Sequence, residues 1–358
     1  MSRDPFFRLN ELIKNRAIQI TSDVVPLHVG DPKGNPNSQT AKFALENTDF
    51  GRYHPLLGIQ DLKEAIQFYS KQIHGVNLKE DQIAAVQGTK SAIAWLPAIF
   101  NEKRKVSIPD LAYSVYFTAP KRLGKETVFY LADQEISGAH SLDYLIINTP
   151  HNPLGRVIER AELARLAKQA QEEDFIAVSD ECYIDIYTGK KPTSLLEVDT
   201  TGDFRNLLVL NSLSKSSSIP GLRSGYIAGD SRLIKKFSEE YGTTGNTLSI
   251  GFQKASALAW RNLDFIKSNR ERYVECLNDF SKQMNAPVPE GGFYFFLETP
   301  IDSEEFVVKL LSESRIKLLP GKYLDYSDGG RWDNYVRIPV AEKLNQNIIG
   351  ALKNAFGN

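Results

Sequence analysis

Four short apolar runs in this chain end in polar residues whose types can bind and react. Ile83-Ala84-Ala85-Val86 runs into Gly88-Thr89-Lys90, and Tyr144 to Asn148 runs into Thr149-Pro150-His151-Asn152-Pro153-Leu154-Gly155. Phe175 to Val178 runs into Ser179-Asp180-Glu181-Cys182-Tyr183, and Leu207 to Leu210 runs into Asn211-Ser212-Leu213-Ser214-Lys215. Free N–H groups at the start of a helix suit a phosphate, which makes Gly88-Thr89 a phosphate-binding candidate. Its plain alternative is an ordinary helix cap. Taken alone, Asp180 reads as a turn residue or cap. Lys215, set among Ser212, Ser214, Ser216, Ser217 and Ser218, reads alone as a solvated loop lysine.

The elements that carry these ends alternate between strand-like and helix-like. After Gly88-Thr89, residues 91–100 read as helix. Residues 159–173 place Leu163, Leu166, Ala167 and Ala170 on one face, the mark of an amphipathic helix. Short continuous apolar runs separated by helices predict a parallel sheet covered on both faces. Ligands of such sheets bind outside the carboxyl ends of the strands, so the four polar ends converge on one crevice. A helix over 59–74 closes at Gly75, and a long helix spans 264–284. Strands at 293–297, 316–319 and 335–338, with helices near 303–313 and from Glu342 onward, predict a compact α+β unit at the C-terminal end.

Composition bounds the function classes. The 358 residues suggest about two domains at roughly 100–200 residues each. Hydrophobic residues at 42% and charged residues at 24% describe an ordinary globular chain and exclude a disordered one. Forty-three basic against forty-four acidic residues leave a net charge of −1, without the basic stripe of a nucleic-acid binder. The run Lys103-Arg104-Lys105 reads as a solvated loop. Cys182 and Cys276 stand far apart and no CxxC occurs, so neither a zinc site nor a disulfide scaffold is expected, and a cytoplasmic protein is. No signal peptide and no apolar run long enough to cross a membrane is visible.

The combination of motifs is more specific than any one. Asn152-Pro153-x-Gly155, Asp180-x-x-Tyr183, Ser212-x-Ser214-Lys215 and Arg223, eight residues after the lysine, occur in that order. The chain resembles the class I/II aminotransferases, pyridoxal-5'-phosphate enzymes of fold type I, over nearly its whole length. Tyr53 to Gly58 followed by Leu62, Pro289 to Tyr294, and Pro320-Gly321 are similar to further segments of that family. The resemblance implies an α/β fold: a large cofactor domain over 41–260 with a mostly parallel sheet between helices. A small α+β domain would be built from 1–40 and 261–358.

The resemblance also implies roles. Lys215 matches the lysine that bonds the cofactor aldehyde and then moves a proton. Asp180 matches the partner of the pyridine nitrogen, and Tyr183 and Asn152 match the donors to the phenolic oxygen. Tyr113 matches the aromatic stacked on the ring. Thr89, Ser212, Ser214 and Arg223, with backbone at Gly88 and Lys90, match the phosphate cradle. Tyr53 matches a residue that reaches the other subunit's phosphate, implying a homodimer. Arg337 matches the clamp on the substrate α-carboxylate; its plain alternative is a surface strand arginine. Gly30 matches the segment that closes over substrate. The small-molecule partners would be an amino acid and a 2-oxo acid, exchanged by a ping-pong mechanism.

Ser179 to Tyr183, Asn211 to Lys215, Leu222 to Gly225 and Gly30-Asp31-Pro32-Lys33 together resemble the bacterial succinyldiaminopimelate aminotransferases of lysine biosynthesis. Those enzymes exchange an amino group between N-succinyl-LL-2,6-diaminopimelate and 2-oxoglutarate. Two features depart from the pattern: Leu154 replaces a hydroxyl residue, and residues 241–246 are less basic and aromatic. Lys33 is a candidate contact for a distal carboxylate, and Cys182 reads as a small buried residue. The other readings are an aspartate or broad-range aminotransferase, a carbon–sulfur lyase with the same cofactor, and a cofactor-binding regulator.

Overall fold

A computed structural model describes residues 4–33, 38–49, 51, 53–136 and 141–357. The strands in chain order are β1 (Val25–Pro26), β2 (Ile83–Val86), β3 (Lys105–Pro109), β4 (Glu126–Tyr130), β5 (Tyr144–Asn148) and β6 (Ile176–Asp180), then β7 (Leu207–Ser212), β8 (Gly225–Gly229), β9 (Tyr294–Glu298), β10 (Ile316–Lys317), β11 (Leu319–Pro320) and β12 (Tyr335–Pro339). The helices are α1 (Pro5–Asn15), α2 (Ser38–Glu46), α3 (Gln60–Tyr69), α4 (Thr89–Ile99), α5 (Ser114–Arg122) and α6 (Arg160–Glu172), then α7 (Leu213–Ser216), α8 (Ser231–Gly242), α9 (Ile250–Arg261), α10 (Leu263–Met284), α11 (Ser303–Ser314) and α12 (Gln346–Phe356).

Seven strands form the central sheet in the order β2-β8-β7-β6-β5-β3-β4. The strands pair in parallel from β7 to β4, while β8 runs antiparallel to both neighbours. The continuous apolar runs follow from burial on both faces. Along β5, Leu145 and Ile147 enter one core with α3, α6 and α9, and Tyr144 and Ile146 enter another with α4, α5 and α8. Alternation is present in direction but not in polarity, because neither face meets water.

A third core joins the two ends of the chain. Leu9 and Ile13 of α1 pack with Leu277 and Phe280 of α10, Val307 and Leu311 of α11, and Val336 and Ile338 of β12. Strands β11, β12 and β9 make a three-stranded antiparallel sheet there. The start of the chain is tied in by β1, which pairs in parallel with β10. Asp4 caps α1 by accepting 3.0 Å bonds from the Phe6 and Phe7 amides, satisfying two of its free donors.

Several local expectations shift. Lys105 opens β3 beside Glu126 rather than lying in a loop. The segment 316–319 divides into two short strands in different sheets, β10 and β11, rather than one. The last helix starts at Gln346 and not at Glu342, because Asn345 caps it by accepting from the Ile348 amide. The helix after Ile59 continues past Tyr69 as a π turn to His74, and Gly75 ends it at φ +70°.

Candidate active site

The carboxyl ends of β2, β3, β5, β6 and β7 share one rim of the sheet. Because β8 runs the other way, the residues that precede it reach the same rim, and Arg223 arrives there. Gly88 caps α4 at φ +76° with no side-chain cap, leaving the first-turn N–H groups of α4 unclaimed by it. The φ of Gly88 favours glycine, and a Cβ there would lie 2.7 Å from Arg223 Nη2 and push the guanidinium from its place. The guanidinium of Arg223 is held by the carbonyls of Pro220 at 2.9 Å and Gln87 at 3.2 Å. Ser212 and Ser214 join hydroxyls at 2.8 Å. Thr89, Ser212, Ser214 and Arg223 line one cavity of about 380 Å³.

The same cavity is lined by Lys90, Tyr113, Asn152, Asp180, Tyr183 and Lys215 from the sheet rim. Gly30 and Arg337 line it from the two ends of the chain. Asp180, at the end of β6, is 2% exposed. Tyr116 donates to its Oδ2 at 2.7 Å, and the Cys182 amide donates to its Oδ1 at 3.2 Å. Burial raises the carboxyl's pKa, and these bonds oppose the rise. The Lys215 amine donates to the Gly30 carbonyl at 2.5 Å. Burial pushes its pKa down to about 8; nearby Cys182 and Asp31 resist, while Arg337 and Arg223 add to the fall.

Arg337, on β12, is 4% exposed, which excludes the surface reading. Its Nη1 donates to Asn152 Oδ1 at 3.2 Å and its Nη2 to the His28 carbonyl at 2.9 Å. Asn152 is itself positioned by its amide, which donates to Asn148 Oδ1 at 2.8 Å. The Tyr183 and Tyr294 hydroxyls meet at 2.9 Å.

Tyr53 is fully exposed and lies off this cavity. Lys33 is exposed and is not on the lining, and neither is any residue of 241–246. Tyr241 instead turns inward, against Ser91 Oγ at 2.9 Å. Phe6, Val29, Tyr116 and Tyr294 are among the lining residues that sequence reasoning does not single out as site residues. Tyr116 is three residues from Tyr113, a spacing that puts both on one side of the first turn of α5. Phe6 carries no such signal, since only the third core brings α1 to the site. Cys182 is also on the lining, so the reading of it as a filler residue understates its position.

The sequence matches the family described as aminotransferase class I and II over residues 22–352. The chain belongs to the class I and II aminotransferases. It is 28% identical over 354 residues to an aspartate aminotransferase of Pyrococcus abyssi, covering 90% of each chain. The crystal structure of aminotransferase AspB from Helicobacter pylori matches at a TM-score of 0.91 and 28% identity, with full coverage of both chains. A probable N-succinyldiaminopimelate aminotransferase from Thermus thermophilus matches at a TM-score of 0.86 over 98% of this chain and 99% of its own, but at 19% identity that likeness is one of fold.

Aminotransferases of this family use pyridoxal 5'-phosphate. The residues present fit that group. An amine with lowered proton affinity, a buried carboxylate and a phosphate-sized set of donors line one cavity. The donor set matches a dianion: a helix N-terminus, two hydroxyls and a guanidinium, with Gly88 leaving the backbone open. Among the described residues no helix is long and apolar enough to cross a membrane, and no cluster of side chains suits a metal ion.

Proposed function

We propose that this aminotransferase takes an amino donor with a second, distal anionic group. N-succinyl-LL-2,6-diaminopimelate is the donor and 2-oxoglutarate the acceptor, a step of lysine biosynthesis. The observation that carries the substrate class is the two cationic side chains on the cavity lining that this reading does not spend on the cofactor. Arg337 is buried and fork-shaped, suited to an α-carboxylate. Lys90 is exposed on the lining, with its amine 5.6 Å from the Tyr113 ring centroid, and offers a second positive charge to an anion. The motif resemblance at 179–183, 211–215 and 222–225 selects the succinylated donor within that class. A second reading, aspartate as donor, is favoured by relatives that carry that name.

When bound, the cofactor supplies an aldehyde that takes up the amino group and a ring that accepts the electrons left at Cα. Thr89, Ser212, Ser214, Arg223 and the backbone at Gly88 and Lys90 hold its phosphate. Asp180 holds a proton at the ring nitrogen, with Tyr116 behind it. Tyr183 and Asn152 donate to the phenolic oxygen, and Tyr113 covers the ring face. Lys215 anchors the aldehyde carbon and then carries the Cα proton. Its depressed proton affinity leaves more of the amine unprotonated near neutral pH than an ordinary lysine has.

Tyr53 belongs to this reading as a residue offered to the cavity of a second copy. Its full exposure supports that, as does the apolar groove of Leu45, Leu222 and Phe252 beside Pro220. The reading includes a large domain over 41–260 and a small one from 1–40 and 261–358, supported by the separate core that joins both chain ends. It also includes a cytoplasmic location, supported by two free thiols, Cys182 and Cys276.

The test is a panel of donors with 2-oxoglutarate: N-succinyl-diaminopimelate, aspartate, and aromatic and aliphatic amino acids. The succinylated donor should give the highest kcat/KM, and Lys90→Met should lower it about tenfold for dianionic donors alone. A monocarboxylic donor in first place would refute the substrate class, and aspartate in first place would select the second reading. Failure of glutamate or any other donor to discharge the visible band would point to lyase or regulatory use of the cofactor.

A further inference from the structure

Tyr294 touches both halves of the site. It opens β9, is 3% exposed, and sits diagonally from Arg337 on the antiparallel neighbour β12, where Arg337 faces Phe296. Residues two apart on a strand share a face, so Tyr294, Phe296 and Arg337 point the same way. The Arg337 guanidinium stands 4.7 Å from the Tyr294 ring centroid. At the far end of that ring, the Tyr294 hydroxyl is 2.9 Å from the Tyr183 hydroxyl. Gly30 approaches so closely that a Cβ there would lie 1.8 Å from Tyr294 Oη.

We propose that Tyr294 is a positioning residue with two separable parts: its ring seats Arg337, and its hydroxyl orients and strengthens Tyr183 as a donor to the cofactor. This rests on the roles just given to Arg337 and Tyr183. The ring offers its π-face to a buried cation that has few other partners: Arg337 Nε makes no hydrogen bond among the described residues. The hydroxyl has one strong direction open. If Tyr183 spends its proton on the cofactor's phenolic oxygen, its own oxygen accepts, and Tyr294 donates to it. The groups around the Tyr294 hydroxyl are Tyr183, Cys182, Asp31 and Arg337. Burial holds the Tyr294 proton above the ordinary tyrosine range, and Arg337, the cation among these groups, opposes that rise. The tie from Tyr294 to Tyr183 is therefore a hydrogen bond whose proton burial keeps in place.

Two variants separate the parts. Tyr294→Phe keeps the ring and loses the hydroxyl; Tyr294→Leu loses both. One readout is the pH midpoint of the visible band of the holoenzyme. The other is the dissociation constant of 2-oxoglutarate for the pyridoxal form, which has no amino group to give, followed by tryptophan fluorescence. Tyr294→Phe should move the midpoint up by roughly half to one pH unit, the worth of one neutral hydrogen bond, with 2-oxoglutarate affinity within about twofold. Tyr294→Leu should move the midpoint equally and also weaken 2-oxoglutarate roughly 3- to 10-fold, the range of a cation–π contact. An unmoved midpoint in Tyr294→Phe overturns the hydroxyl part. Unchanged affinity in Tyr294→Leu, beside a clear loss in Arg337→Lys, overturns the ring part. No loss in Arg337→Lys overturns the reading of Arg337 and the ring part with it, while the midpoint still decides the hydroxyl part.

Discussion

The Tyr116 hydroxyl donates to Asp180 Oδ2 at 2.7 Å, and both side chains are shut away from water. A buried carboxylate is costly without donors, and this one has the Tyr116 hydroxyl and the Cys182 amide. Removing the hydroxyl while keeping the ring leaves Asp180 less favoured as an anion and less able to hold a proton at its partner. Tyr116→Phe should therefore slow transamination about 10-fold or more, the worth of a hydrogen bond to a charged group, in a protein of unchanged circular dichroism. A near-normal kcat would show that the Cys182 amide alone is enough.

In the proposed reading the Lys215 amine captures the cofactor's aldehyde. With its pKa lowered to about 8, its neutral share rises tenfold per pH unit below 8 and levels off above. The rate at which cofactor-free protein binds pyridoxal phosphate should follow that curve in stopped-flow absorbance. A rate still climbing at pH 10 would mean an ordinary lysine. Lys215→Ala should show neither the visible band nor turnover.

In the proposed reading Gly88 belongs to the phosphate cradle. Gly88→Ala puts a methyl group 2.7 Å from Arg223 Nη2 on backbone at φ +76°. Cofactor affinity should fall at least 10-fold, while the buried core that carries the sheet stays folded. Equilibrium dialysis of pyridoxal phosphate checks this, and unaltered affinity would remove Gly88 from the cradle.

Glu181 points away from the cavity and sets a pH limit on stability. Burial raises its pKa from 4.5 to about 7, against His74 and the Leu195 amide, which lower it. Between these two values the folded state binds more protons than the unfolded one, so stability falls as pH rises. The favourable contribution is full below about 4.5 and gone above about 7. Glu181→Gln should flatten that fall, and at pH 8 should raise stability by up to about 3 kcal/mol. Urea midpoints at pH 5 and pH 8 measure it; the same decline in both proteins would exonerate Glu181.

Much of the cofactor half of the cavity was legible because local rules produce it. The apolar run of a strand buried on both faces gives way to polar residues at its carboxyl end, so 88–90, 148–152, 180–183 and 212–215 mark the rim in the sequence itself. Strand β8 was not read in the sequence: Gly225 to Gly229 is short and begins and ends on glycine, and only pairing reveals it and its antiparallel direction. Tyr116 and Tyr294 were hidden for a related reason. A buried tyrosine looks like core filling until its hydroxyl is seen to have a partner. Phe6 lay further still from reach, since its place depends on α1 packing against helices some 270 residues away.

The origin of the two halves also orders how the site can come into being. Apart from Tyr53, offered to the other copy, the groups assigned to the cofactor all lie between Gly88 and Arg223, and the sheet that presents them is complete at Gly229. Gly30 and Arg337 sit more than 300 residues apart, and the strand carrying Arg337 is among the last elements made. On the ribosome, where domains form as units from the N-terminal side, every residue that the proposed reading gives to the cofactor within one chain is made before the strand that carries Arg337. In that reading the carboxylate grip is the last part of the site to be made.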